Sequence, residues 1–208
     1  MILFPSQPSS NLLIYFTLFI SAMDHHRTEP AFATGSNLVQ LWDETKSVPV
    51  SNLTFAGSTE TVESLRFNAS ESSVLATAGS DRTLTIYDVR TGKAERRVVM
   101  QVRLFLPYFS NGISAMVLQF RTNSLAWSPT FPTSILLASE DHNLYTFDIR
   151  NLETPTQIYK GHVSAVMSCA WSPTGTEFVS GGWDRTLRTW KEGEGRGGEV
   201  LHTKRMQR

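Results

Sequence analysis

The chain has 208 residues, 40% of them apolar and 18% charged, an ordinary globular balance and long enough to bury one sizeable core. Its 19 Lys and Arg are matched by 19 Asp and Glu, which excludes the electrostatic footprint of a chain that grips nucleic acid by itself. Cys169 is the single cysteine, so no intrachain disulfide forms and a reducing compartment is favoured; its apolar setting, "AVMSCAWSP", reads as a buried, inert thiol.

Residues 11–22, "NLLIYFTLFISA", have the apolar length of a signal peptide, but no Lys or Arg precedes Arg27, so the positive n-region is missing. The run is also shorter than the ~20 residues that span a bilayer. Residues 1–22 are therefore read as an apolar leader foreign to the fold, and no membrane partner is expected. Asp24, His25 and His26 follow and invite a metal reading. Adjacent residues on a strand point to opposite faces, and no Cys or His stands at ligand spacing. No metal or other cofactor is expected.

From there to the end the chain is built on a repeat. "GSNLVQLWDE" (35–44), "GSDRTLTIYDVR" (79–90), "SEDHNLYTFDIR" (139–150) and "GGWDRTLRTWK" (181–191) align with one another. The last three share an aspartate (Asp81, Asp141, Asp184), a polar turn, and alternating apolar residues that end on an aromatic, the pattern of a half-buried strand. Two of them follow a Trp-Ser-Pro-Thr turn, at 127–130 and 171–174, and "LRFNASESSVLATAG" (65–79) is a degenerate version. Each unit reads strand, Ser-Pro turn, strand, Asp turn, strand, with a fourth strand after it. Four short antiparallel strands per unit make a propeller blade.

These units resemble WD repeats. Trp42-Asp43, Tyr87-Asp88 and Phe147-Asp148 are their aromatic–Asp ends, Trp190-Lys191 departs from the pattern, and the Gly-His start survives at Gly161-His162. The resemblance implies that His162, Ser180, Asp184 and Trp190 form a structural hydrogen-bond tetrad. Ser, His and Asp in one unit could pass for a hydrolase triad, but no nucleophile elbow accompanies Ser180. No phosphate loop, paired carboxylates or nucleotide fingerprint occurs either, and no enzymatic activity is expected.

The repeat has one break. Trp42 to Tyr87 is 45 residues and Phe147 to Trp190 is 43, but Tyr87 to Phe147 is 60, against the ~40–45 of a WD unit. The surplus coincides with the apolar block 102–119. A membrane helix is broken up there by Arg103, Pro107, Asn111 and Gly112. A binding loop would put Leu104, Phe105, Leu106, Tyr108 and Phe109 in water. Translated intron fits the code, since Val codons begin GT and a Gln codon can be CAG. Removing Val102 to Gln119 shortens the interval from 60 to 42. The block is thus an insertion, a retained intron or an inserted loop. What remains is an all-β, WD-type propeller over 23–208, incomplete at about three and a half blades, with blade ends near 43, 88, 148 and 190. It reads as a fragment of a larger protein.

Finer motifs narrow the resemblance. "DHH" (24–26), "FATGSNLVQLWDE", "NLYTFD" (143–148), "HVSAV" (162–166) and "EVLHTKRMQR" (199–208) look like the Sof-type WD-repeat proteins, components of the nucleolar small-subunit processome. That resemblance implies a non-catalytic scaffold in pre-ribosomal RNA processing, in the nucleus and nucleolus, with processome proteins and the pre-ribosomal RNA particle as partners. The family's blades before Asp24 and its basic C-terminal segment are missing, so RNA contact is expected to be indirect. Lys204, Arg205 and Arg208 form only a small basic cluster, beyond the glycine-rich loop 191–200. A second pattern overlaps the first: aromatic-Asp-x-Arg at Asp88/Arg90 and Asp148/Arg150 resembles the motif by which WD-repeat receptors dock on a cullin–RING ligase adaptor. Each arginine either caps its own turn or docks on the adaptor; two copies on neighbouring blades favour docking.

Overall fold

The computed structural model describes residues 20–53, 61–91, 93–99, 101–104, 116–192 and 199–206. The first sheet is β1 (Ala22–His25), β2 (Ala31–Gly35), β3 (Val39–Asp43) and β4 (Ser51–Leu53); the second is β5 (Val62–Phe67), β6 (Val74–Gly79), β7 (Thr83–Asp88) and β8 (Lys93–Val99). Then come β9 (Gln101–Leu104) and β10 (Met116–Gln119), which pair only with each other. The third sheet is β11 (Thr122–Trp127), β12 (Ser134–Ser139), β13 (Asn143–Asp148) and β14 (Gln157–Lys160). The fourth is β15 (Val166–Trp171), β16 (Glu177–Gly182), β17 (Thr186–Lys191) and β18 (Glu199–Arg205). Every pairing is antiparallel between sequence neighbours, as short hairpin connections require.

The chain is all-β, an incomplete WD-type propeller. The half unit counted at its N-terminal end is a full four-stranded sheet. Its first strand is only four residues and its last only three, too short to register as alternation. Among the described residues no helix is long and apolar enough to cross a membrane.

Successive sheets touch through their first strands, β1 on β5, β5 on β11 and β11 on β15, so these strands line the propeller axis. Each sheet has two packing faces because its side chains alternate. The leading face of the first (Ala33, Val39, Leu41) meets Leu65, Phe67, Leu75 and Tyr87 of the second. That sheet's leading face (Ala76, Ala78, Leu84, Ile86) meets Leu125, Trp127, Ile135 and Phe147 of the third. The leading face of the third (Leu136, Ala138, Leu144) meets Val166, Phe178 and Trp190 of the fourth. Small and aliphatic side chains on one side of each joint receive larger, ring-bearing ones from the other.

Polar ties lock the same joints. Asp24 accepts from the Phe67 amide at 2.8 Å and pairs with Arg66. Trp127 Nε1 donates to the Arg66 carbonyl at 3.0 Å, and Asn68 Nδ2 to the Pro132 carbonyl at 2.7 Å.

Candidate functional site

Within each of the last three sheets the second and third strands are joined by a turn that the aspartate organises. Asp81 accepts from the Thr83 amide at 3.1 Å and hydroxyl at 2.7 Å. Asp184 accepts from the Thr186 amide at 2.9 Å and hydroxyl at 2.7 Å. Asp141 accepts from the Asn143 amide at 3.2 Å and also from the Tyr145 hydroxyl. The residue after each aspartate is left-handed, with φ of 64° at Arg82, 74° at His142 and 61° at Arg185. Those values cost a non-glycine residue ~1–2 kcal/mol, and the aspartate bonds hold the turn against that cost.

The tetrad lies in the fourth sheet. Trp190 Nε1 donates to Ser180 Oγ at 2.7 Å, Ser180 Oγ lies 2.7 Å from His162 Nε2, and His162 Nδ1 lies 2.8 Å from Asp184 Oδ2. Ser180 and Trp190 are buried at 1% and 0% exposure. A neutral imidazole satisfies the whole chain: Nδ1–H donates to Asp184, and bare Nε2 accepts the Ser180 proton. Burial holds the His162 pKa below the ordinary imidazole value in spite of Asp184. For Asp184, burial acts upward, but bonds from Thr186, His162 and the Val163 amide outweigh it and hold the carboxyl well below its usual range. Ser180 Oγ sits between an indole and an imidazole with the residue 1% exposed, and the set ties the turns of the sheet together. Thr186, whose hydroxyl also lies 3.3 Å from His162 Nδ1, belongs to the same network. Sequence comparison alone leaves it out, although its place two residues after the turn aspartate is shared with Thr83. The first sheet holds a reduced form, Trp42 Nε1 donating to Thr34 Oγ1 at 2.9 Å.

The Asp-x-Arg pairs lie where the third strand of the second and third sheets turns towards the fourth. Arg90 donates its amide to Asp88 Oδ1 at 2.8 Å and closes a fork on the carboxylate, Nε to Oδ1 at 3.3 Å and Nη2 to Oδ2 at 3.1 Å. Arg150 repeats this on Asp148, with amide to Oδ1 at 2.9 Å, Nε to Oδ1 at 3.0 Å and Nη2 to Oδ2 at 2.6 Å. The arginines are 76% and 72% exposed. Fork bonds from Arg90 keep Asp88 ionised below its usual pKa, and the Asp148 carboxylate raises that of Arg150. The first sheet has Thr45 at the arginine's position, bonded to Asp43 at 2.6 Å, and the fourth has Lys191 for the aspartate. The two complete pairs thus stand alone on adjacent sheets, at the same end.

The histidine pair divides as alternation requires. His25 bonds to Glu44 on one face, while His26 lies 2.9 Å from the Ser72 carbonyl on the other and accepts from the Glu29 amide at 3.0 Å. Among the described residues no group of three or more His, Cys, Asp or Glu is placed to hold a metal. Burial pushes the Cys169 thiol up to about 12, so it stays protonated at neutral pH. Arg208 falls outside the described residues, as does most of the loop after Lys191.

The family model that matches is "WD domain, G-beta repeat", over residues 49–88 and 153–191. The chain is 40% identical over 187 residues to "DDB1- and CUL4-associated factor 13" of Danio rerio, covering 90% of this chain and 38% of that protein. It is 37% identical over 185 residues to "Protein SOF1" of Saccharomyces cerevisiae, covering 89% and 34%. To "Protein sof1" of Schizosaccharomyces pombe it is 42% identical over 146 residues, covering 70% and 29%. The chain spans about a third of the length of these relatives.

Proposed function

We infer that this chain, a WD-repeat protein resembling the Sof1-type proteins, is a non-catalytic scaffold segment in small-subunit ribosome biogenesis, working in the nucleolus. The supporting observation is the match to a Sof1 relative at 37% identity across 89% of the chain. A fold alone carries no function. Here the resemblance covers nearly the whole chain and not the repeat pattern alone. The expected partners are processome proteins, with the RNA particle contacted through them. Crosslinking mass spectrometry on nucleolar and nucleoplasmic fractions tests this. Crosslinks to pre-ribosomal proteins support the reading, and their absence from nucleolar material refutes it.

A second reading, reception of substrates for a cullin–RING ligase, rests on the two Asp-x-Arg pairs. A relative carries DDB1 and CUL4 association in its name. In this chain each aspartate holds its arginine as a pre-set fork with the guanidinium largely exposed, so less side-chain freedom is lost when a partner's carboxylate or carbonyl is engaged. Replacing Arg90 and Arg150 with Ala in the full-length protein abolishes adaptor pull-down if the arginines dock. Unchanged recovery leaves them as turn caps.

A further inference from the structure

Three Ser-Pro or Thr-Pro dipeptides occur in the chain, beginning at Ser128, Thr154 and Ser172, and their surroundings separate them. Ser128 is 1% exposed; its hydroxyl lies 3.2 Å from Thr130 Oγ1 and accepts from the Phe131 amide at 3.2 Å. Ser172 is half-buried; its hydroxyl lies 3.0 Å from Thr174 Oγ1, and its carbonyl accepts from the Gly175 amide at 2.9 Å. Both belong to the folded turns that join the first and second strands of their sheets. An enzyme that reads such a dipeptide takes it in extended form, and these two cannot extend without breaking the turn.

Thr154 lies instead in the rim loop 149–156, between β13 and β14. The loop is tied at both ends. The Ile149 amide donates to the Thr133 carbonyl at 2.8 Å, the Asn151 amide to the Asp148 carbonyl at 2.9 Å, and the Thr156 amide to the Thr146 carbonyl at 2.7 Å. Leu152 is tucked in at 8% exposure. Glu153 and Thr154 stand between these ties and both are exposed. Pro155 has no amide to donate, and it biases Thr154 towards extended backbone. Four residues before Thr154 is Arg150, whose guanidinium is 72% exposed beyond its fork on Asp148.

We propose that Thr154 is a phosphorylation site for a proline-directed kinase and that Arg150 receives the phosphate. The γ-phosphoryl group passes from ATP to Thr154 Oγ1. The bond from phosphorus to Oγ1 forms, the bond from phosphorus to the oxygen bridging it to the β-phosphate breaks, ADP leaves, and the hydroxyl proton goes to the kinase's catalytic base. The product adds about −1.5 to −2 charge at pH 7 and three acceptor oxygens. Those oxygens match the guanidinium edge that Asp148 leaves unused. Glu153 beside the phosphate and Asp148 behind the fork are like charges, and Arg150 offsets them.

The test begins with full-length protein, ATP and a cyclin-dependent kinase, read by peptide mass spectrometry. Phosphate is expected on Thr154 and not on Ser128 or Ser172, and Thr154→Val should remove it. An unmodified Thr154, with a kinase that does modify a control Thr-Pro peptide, overturns the proposal, and so does phosphate on Ser128 or Ser172 in its place. Phosphorus NMR then follows the second ionisation of the phosphate, assigned by its loss in Thr154→Val. In Arg150→Ala it should titrate about 0.2–0.7 pH higher than in the parent. Arg90→Ala removes an equal charge from the neighbouring sheet and should leave it unmoved. Equal midpoints in the parent and Arg150→Ala, or equal displacement by both variants, overturn Arg150 as the receptor.

Discussion

Ser180→Ala isolates the tetrad most cleanly, because the hydroxyl joins two buried groups and fills little space. The change leaves the Trp190 indole N–H without its acceptor at 2.7 Å and His162 Nε2 without its donor at 2.7 Å. Trp190 has no exposure and the His162 side chain none either, so water cannot replace the lost partner. An unsatisfied buried group costs ~1–3 kcal/mol, and relief from burying the hydroxyl itself returns part of that. A net loss of about 2–4 kcal/mol is expected, a large fraction of the ~5–15 kcal/mol of a whole domain. At ~2–4 °C per kcal/mol for a chain of this size, the unfolding midpoint falls by roughly 5–15 °C. Urea unfolding followed by tryptophan fluorescence measures the free energy, and Trp190→Phe in both backgrounds completes a double-mutant cycle. With the serine gone, losing the indole N–H should cost at least ~1 kcal/mol less than it does in the parent. A Ser180→Ala loss below ~1 kcal/mol, or strict additivity, refutes the account of the tetrad as one brace.

The pH dependence follows from the same histidine. Its folded pKa lies below the ordinary value, so between that folded value and about 6.5 the unfolded chain binds the extra proton, and stability rises with pH across the window. His25, whose pKa Glu44 raises, acts with the opposite sign, so the check is the difference in midpoint between the parent and His162→Asn from pH 7 to 5; the parent should lose more on acidification. Gly182→Ala should destabilise by about 1–3 kcal/mol, since a Cβ there would sit 2.8 Å from His162 Nδ1 and 3.0 Å from Asp184 Oδ1; calorimetry reads it. Deleting Val102 to Gln119 is expected to leave the far-ultraviolet spectrum of the four sheets intact and the midpoint equal or higher. Gln101 pairs with Gln119, so the segment leaves and returns at one place. Loss of cooperative unfolding in that variant would make the block part of the fold.

The second and third sheets were the most legible because they bury both faces, and period two places the residues that do so: Leu75, Leu84, Ile135 and Leu144 sit at 0% exposure. The first sheet was only half legible. Strand β1 reads "AMDH" and β4 "SNL", and neither is long enough to show a period. Legibility also failed wherever a contact joins positions far apart in sequence, as with Asp24 on the Phe67 amide or Asn68 on the Pro132 carbonyl. Local pattern carries no distance information across 43 or 64 residues. The tetrad shows where the boundary lies. Its members could be named because the aspartate turn and the aromatic strand end fix their spacing, but the direction of its hydrogen bonds could not, since that depends on which nitrogen of His162 the burial leaves bare. Spacing identifies the residues of a brace; only their packing tells a brace from a triad. The same holds at the rim. The four letters around Asp88 and Asp148 are identical in type whether the arginine caps or docks, and what the structure adds is that the capping bonds use one edge of the fork. A guanidinium carries five donors on two edges, so a cap on one edge does not by itself decide between capping and docking.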